Sequence, residues 1–170
     1  MAYDYKSHFP AIGQFDKNAC WAASISWWLQ VMAHGFYKRK WMTQTDLITK
    51  FDSLCAEDGS MPVANFRKVC ENAEVRITLK YIAPAVLVSE YQHISEPVVV
   101  IFNYPKVGGT HMNVIFNRDG DNIQCMEPYY PYPGVDGKRT GQILTRPITF
   151  FGSTGQIGIG YLPPGEKAAE

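Results

Sequence analysis

The sequence predicts an α+β fold, with helices first and strands afterwards. Two observations carry this. Up to about residue 93 the apolar residues recur mostly at helical spacing, whereas from Pro97 onward they fall in short runs divided by turn residues. A regular β-α-β alternation, which would imply a parallel sheet, is not visible.

The elements follow in order. Residues 19 to 34 are predicted as the first helix, with Asn18 as N-cap, Ile25, Trp28, Leu29 and Met32 at helical spacing, and Gly35 at its end. Thr43 to Leu54 is a second, capped by Thr43 or Thr45 and buried along Leu47, Ile48, Phe51 and Leu54. Ser60-Met61-Pro62 opens a third that runs to about Asn72, with Pro62 in the first turn and Val63, Phe66, Val69 and Cys70 facing inward. Val75 to Ile82 reads as a strand and Pro84 to His93 as one more short helix. Strands are then expected at Val98 to Asn103, His111 to Asn117, Asn122 to Met126, Gln142 to Ile148 and Gln156 to Leu162. The run Glu127-Pro128-Tyr129-Tyr130-Pro131-Tyr132-Pro133-Gly134 has too many prolines for regular structure. It reads either as a rigid aromatic loop beside a cleft or as a surface loop whose tyrosines cover core. The tail from Pro163 to Glu170 is expected to fray.

Composition narrows the class. The 170 residues are 46% hydrophobic, enough to bury a core without disulfides or metals, and a single domain over residues 1–170 is expected. Sixteen basic and sixteen acidic side chains cancel, so the overall field favours neither nucleic acid nor an anionic membrane surface as partner. Met1 to Lys6 is not a basic segment leading into an apolar run, and no stretch approaches the roughly 18 to 20 apolar residues of a membrane span. A soluble chain without a conventional export signal is expected. The four cysteines, Cys20, Cys55, Cys70 and Cys125, show no Cys-x-x-Cys spacing and no clustering with His, which argues against zinc. Free thiols are expected, with Cys55 and Cys70 the one pair placed to form a disulfide.

Chemistry concentrates in Gly13-Gln14-Phe15-Asp16-Lys17-Asn18-Ala19-Cys20-Trp21-Ala22-Ala23-Ser24, where a polar loop meets the first helix. A cysteine in the first helical turn lies at the positive end of the helix dipole, which favours thiolate, and the N–H groups there are free to bind an oxyanion. Gln14, six residues upstream, can fold back to offer a second donor. The alternative is that Cys20 is a small apolar residue on a core helix.

This stretch resembles the nucleophile segment of papain-like cysteine peptidases, with an oxyanion Gln, then Cys-Trp, then small residues. It is most similar to compact bacterial members, effector proteases and bacteriocin-leader peptidases, in which Cys-Trp-Ala-Ala is a common opening. Weaker similarity extends to Gly108-Gly109-Thr110-His111 and to Glu127-Pro128. The resemblance implies a papain-like fold in which the nucleophile helix packs against a curved antiparallel sheet that carries the His. It also implies peptide-bond hydrolysis without a cofactor, a protein or peptide substrate, and substrate contacts at Trp21, Gly108, Gly109, Thr110, Tyr129 and Tyr130.

Among the four histidines, His111 is the candidate base. His34 lies on the same helix as Cys20, about 21 Å away at ~1.5 Å per residue, and cannot reach. His8 and His93 have no supporting context. His111 follows two glycines that would let a substrate backbone approach, and it begins an apolar strand able to hold the ring.

The partner of His111 is less plain. In the family it is an Asn or Asp returning on the adjacent strand, and the matching position here is Glu127, one methylene longer. If Arg118-Asp119-Gly120 is a three-residue loop, His111 pairs with Glu127 on one face. If Asp119-Gly120 is a two-residue turn, Glu127 falls opposite Met112 with its side chain on the other face. Met112, Val114 and Phe116 then align better with Ile123 and Cys125. A bulge would reconcile the two. Glu127 is the expected partner, with Asn113 and Asp121 as lesser candidates.

The expected activity is that of a thiol protease acting through a thioester, with Cys20, His111, Glu127 and Gln14 as its catalytic residues. The same chemistry would serve a glutamine deamidase, an isopeptidase, an acyl transferase or a cell-wall amidase. A non-catalytic binding protein on this fold is the remaining alternative. A monomer is expected, either cytoplasmic or delivered as an effector without a signal peptide.

Overall fold

The computed structural model describes residues 2–35, 39–91, 96–152 and 155–166. His93, the end of the predicted fourth helix and the tail beyond residue 166 lie outside them. The first element is one the sequence did not signal: a single turn, α1 (Tyr5–His8), capped by the Asp4 side chain on the Ser7 N–H. It is followed by α2 (Cys20–His34), α3 (Gln44–Lys50) and α4 (Val63–Glu71).

Helix α2 is the core of the helical half. It is buried on all sides, so its apolar residues show little amphipathic contrast, as expected of a central helix. Four of its buried polar atoms are satisfied by neighbours: Trp27 Nε1 donates to Phe9 O, Trp28 Nε1 to Pro97 O, Ser26 Oγ to Met42 O and Ser24 Oγ to Met112 O, whereas Trp21 Nε1 has no partner among the described residues. The expected N-cap is corrected. Ala19 occupies that position, and the Asn18 amide instead donates to Asp58 O at 2.7 Å. The first N–H groups of α2 therefore have no side-chain cap. Thr43 caps α3 in a reciprocal box with Asp46, and Pro62 sits at the N-cap of α4.

Six strands, β1 (Thr78–Ile82), β2 (Val98–Tyr104), β3 (Gly109–Asp119), β4 (Asn122–Glu127), β5 (Gln142–Pro147) and β6 (Ile157–Tyr161), form one antiparallel sheet in the order β1-β6-β2-β3-β4-β5. The short helix α5 (Leu87–Tyr91) precedes β2. Strand β1 begins three residues later than predicted. Arg76 has φ 46°, outside the extended region, and the Val75 and Arg76 carbonyls accept from the Arg39 guanidinium instead of joining a ladder.

Both sheet faces are apolar. Val99, Ile101, Met112, Val114, Phe116 and Met126 pack under α2 with Ile25, Trp28 and Phe66. Val98, Val100, Phe102, Ile115, Ile123 and Cys125 pack with Phe151 and Leu87 on the other. Gly160 on β6 lets the layers approach, since a Cβ there would stand 2.8 Å from Ile77 Cγ2. The tail is held as far as Glu166, which pairs with Arg39 and Arg76. No described helix is long and apolar enough to cross a membrane.

Candidate active site

The chemistry gathers where the first turn of α2 meets the start of β3 and the end of β4; the loop carrying Gln14 is joined to the segment after β4, and Gln14 is not among the residues that line the Cys20 cleft. The loop is pinned by its backbone. Gln14 N–H donates to Pro128 O at 2.9 Å, and Phe15 N–H to Gln44 Oε1 at 2.9 Å. The Gln44 amide returns to Gly13 O at 3.0 Å. Gly13 is required here, because a Cβ would lie 1.7 Å from Arg139 O. Gln14 is 1% exposed. Its amide gives one N–H to Asp16 O at 2.6 Å, leaving the second N–H uncommitted, while Oε1 has no partner.

Cys20 opens α2 and lines a cleft of about 230 Å³. One rim is Gly108, which ends the turn before β3, with Gly109 and Thr110 at the start of that strand, and His111 follows them. Gly108 has φ 76°, which a side chain would strain, and a Cβ on either glycine would meet nothing within 4 Å. A chain can thus lie against this rim. Trp21, Met61, Val63, Phe66, Ile101 and Met112 supply apolar wall, and Lys17 the one cation among the lining residues besides His111. Apart from Trp21, that wall was not singled out from the sequence, where its members read as helix and strand residues.

His111 is 2% exposed and reaches Glu127 Oε1 through Nε2 at 2.5 Å, and it lines the same cleft as Cys20. Burial opposes a charge on this ring. The Cys20 and Glu127 hydrogen bonds and the Glu127 carboxylate outweigh it and hold the pKa up at about 9. Glu127 is its mirror image: burial pushes the carboxyl up, but the His111 hydrogen bond and charge, then Arg146, bring it down to about 2. The two shifts run in opposite directions, and each favours the charged form of its group.

Neither sequence-derived register is correct. Val114 faces Met126 and Phe116 faces Gln124, while Asp119 faces Asn122 across a two-residue Gly120-Asp121 turn. The difference is absorbed at Asn117 and Arg118, where Asn117 has φ 50°. Continued to its end, the upper register sets Glu127 opposite Asn113. His111, two residues away, keeps the same face, so the His111–Glu127 contact forms through a bulge located at the turn. Asn113 touches Glu127, with Nδ2 2.9 Å from Oε2. Asp121 lies in the turn before β4, at the opposite end of that strand from Glu127, and its backbone carbonyl accepts from Ile148 N–H.

Glu127 has two further partners. Tyr129 N–H donates to Oε1 at 2.9 Å, and Arg146 Nη1 to Oε2 at 2.8 Å. Arg146 was not foreseen. On β5 it reads as one exposed cation in an alternating strand, and only its place on the Leu144 side could have drawn notice. Tyr129 and Tyr130 line a separate hollow of about 250 Å³, which has Glu127 and Arg146 in its wall and shares no lining residue with the Cys20 cleft. Burial pushes Cys70 and Cys125 up to about 12 and raises Cys55. All four cysteines are free. Among the described residues no group of His, Cys, Asp and Glu could hold a metal ion.

The chain is similar to the peptidase domain of Streptococcus ComA, a bifunctional ABC transporter involved in a quorum-sensing pathway, with a TM-score of 0.60 over 92% of this chain and 100% of that one. The fold is the papain-like α+β fold of that domain. Sequence identity is 15%, so the likeness is one of fold. No protein-family model and no curated protein matches the sequence.

Proposed function

We propose that the chain is a cysteine peptidase that hydrolyses an amide bond through a thioester on Cys20. The observation that supports this reading is the His111–Glu127 pair at 2.5 Å in a cleft that His111 shares with Cys20, the residue that opens an uncapped helix. Cys20 Sγ attacks the carbonyl carbon and forms the C–S bond. The oxyanion is met by the Cys20 backbone N–H and the free N–H of Gln14. His111 gives its proton to the leaving nitrogen as the C–N bond breaks. Water then attacks the thioester, His111 takes a proton from it, and the C–S bond breaks to release the acid. Glu127 keeps the ring oriented and supports its positive charge.

A peptide or protein substrate is favoured because the glycine rim offers backbone for an extended chain and the apolar wall can take a side chain. The finer assignment, a compact bacterial effector or leader peptidase, rests on the Cys20-Trp21-Ala22-Ala23 segment alone. The test is incubation of the wild type and Cys20→Ala with a peptide library, read by mass spectrometry. New chain ends formed only by the wild type support a peptidase. Products with intact chains and deamidated glutamines would assign the same thiol chemistry to a deamidase, and no difference between the two proteins would end the proposal.

A further inference from the structure

Arg146 has no part in the reaction just described, yet it is bound closely to it. Its Nη1 lies 2.8 Å from Glu127 Oε2 and 2.8 Å from Asn113 Oδ1. Asn113 Nδ2 closes the ring of contacts on the same Glu127 oxygen at 2.9 Å. The guanidinium lies 4.0 Å over the Phe150 ring, and its side chain is 12% exposed. A cation this enclosed gives little net stability over an apolar residue of the same size, so stability alone is a weak reason for it.

We propose that Arg146 is a positioning residue, clamping Oε2 of Glu127 so that Oε1 is presented to His111. The inference rests on the proposed roles of Cys20 and His111. A glutamate has three side-chain torsions, one more than the Asn or Asp of the related pattern, and a single contact to the ring would leave the carboxylate free to turn. Two donors on each oxygen remove that freedom: His111 and Tyr129 N–H on Oε1, Asn113 and Arg146 on Oε2. Arg146 also supplies the second positive charge that keeps the buried carboxylate ionised. The titratable groups facing Glu127 are His111 of β3 with Cys20 of α2 behind it, Tyr104 of β2, Arg146 of β5 and Cys125 on its own strand. Burial raises both Tyr104 and Cys125, which leaves them neutral at physiological pH. Lys106 is exposed at the hollow. The charges that act directly on the carboxylate are therefore His111 and Arg146.

The hollow gives this proposal a specific test, because it provides a route by which a free guanidinium ion can reach a vacated Arg146 site. Alkylation of Cys20 by iodoacetamide, with peptide mapping, is followed across pH for the full chain, Arg146→Met, Arg146→Lys and Arg146→Ala, alongside unfolding midpoints. Arg146→Met is expected to slow alkylation by about 10- to 100-fold, the range for groups that orient a functional ligand from behind. The acid limb of its profile should move to higher pH, because the carboxylate then protonates sooner. Arg146→Lys should recover the limb in part, keeping the charge but not the fork. Millimolar guanidinium chloride should partly restore Arg146→Ala. A residue with a merely structural role would lower the midpoint and leave the rate, profile and guanidinium response of the folded protein unchanged, and that result overturns the proposal. If the wild type itself shows no selective alkylation of Cys20, the peptidase reading fails. Selective alkylation with superimposable wild-type and Arg146→Met profiles defeats the Arg146 assignment alone.

Discussion

Replacing Glu127 by Gln preserves shape and volume, yet the geometry predicts a substantial loss of stability. The carboxylate accepts four hydrogen bonds, from His111 and Tyr129 N–H on Oε1 and from Asn113 and Arg146 on Oε2. All four partners are donors, and a glutamine amide can accept at only one of its two ends. Whichever way it turns, its NH₂ meets two buried donors. The cheaper orientation keeps its oxygen on His111 and Tyr129, because Arg146 borders the hollow and can swing outward. Two unmet donors at about 1–3 kcal/mol each give a cost of about 2–6 kcal/mol, and relaxation of Arg146 favours the lower half of that range. Urea unfolding at pH 7, followed by tryptophan emission, measures it. The double variant Glu127→Gln/Arg146→Met should cost less than the sum of the singles by about 1–3 kcal/mol, since removing both partners leaves no stranded charge. Glu127→Gln within about 0.5 kcal/mol of wild type, or additive costs within that margin, would refute the four-donor account.

Gln14→Ala should lower the acylation rate by about 10²- to 10³-fold with little change in substrate affinity, as for the loss of one oxyanion donor, and an unchanged rate in stopped-flow assays would remove Gln14 from the site. Gly13→Ala should produce a similar loss without touching any reactive group, because its Cβ would collide with Arg139 O and displace the Gln14 loop; full activity would show that the loop need not be fixed. The pH dependence of stability follows from the paired shifts. His111, raised from 6.5 to about 9, contributes stability that is complete below pH 6.5 and lost as pH rises through about 9. Glu127, lowered from 4.5 to about 2, contributes stability present above pH 4.5 and lost as pH falls towards 2. Urea midpoints should therefore decline on both sides of this window, and His111→Gln should flatten the alkaline decline; an unaltered alkaline slope in the variant contradicts the His111 shift. Glu166→Ala should destabilise by about 1–3 kcal/mol by leaving the buried Arg39 short of its charge partner, and a silent substitution in the same assay would show that the tail adds nothing.

Most of the secondary structure could be read from the chain because local signals agreed with the tertiary outcome. The Ile25, Trp28, Leu29 and Met32 spacing gave α2, and the short apolar runs after Pro97 gave the strands. The errors fall where a distant group overrode local preference. Asn18 has the chemistry of an N-cap, but its amide is taken by Asp58 O, forty residues away in the chain. Val75 and Ile77 have strand propensity, but the intervening Arg76 is turned out of extended conformation where Arg39 binds the local carbonyls. That His111 and Glu127 would meet on one face was legible because strand parity survives an even change of register. The register itself was not, since nothing in Asn117-Arg118 announces a bulge. Arg146 stayed hidden for a related reason: its partners lie on β3 and β4, and strand pairing alone brings them together.

The central claim, that Cys20 is a nucleophile activated by His111, is tested most directly by competitive alkylation of the four cysteines at mildly acidic pH. Wild type and His111→Ala are compared, and the label is mapped by peptide. The account predicts that Cys20 takes nearly all the label in the wild type and loses that advantage in His111→Ala, while Cys70 and Cys125, pushed up to about 12 by burial, stay unlabelled in both. Faster labelling of Cys55, Cys70 or Cys125 than of Cys20, or labelling of Cys20 that does not change when His111 is removed, would contradict it.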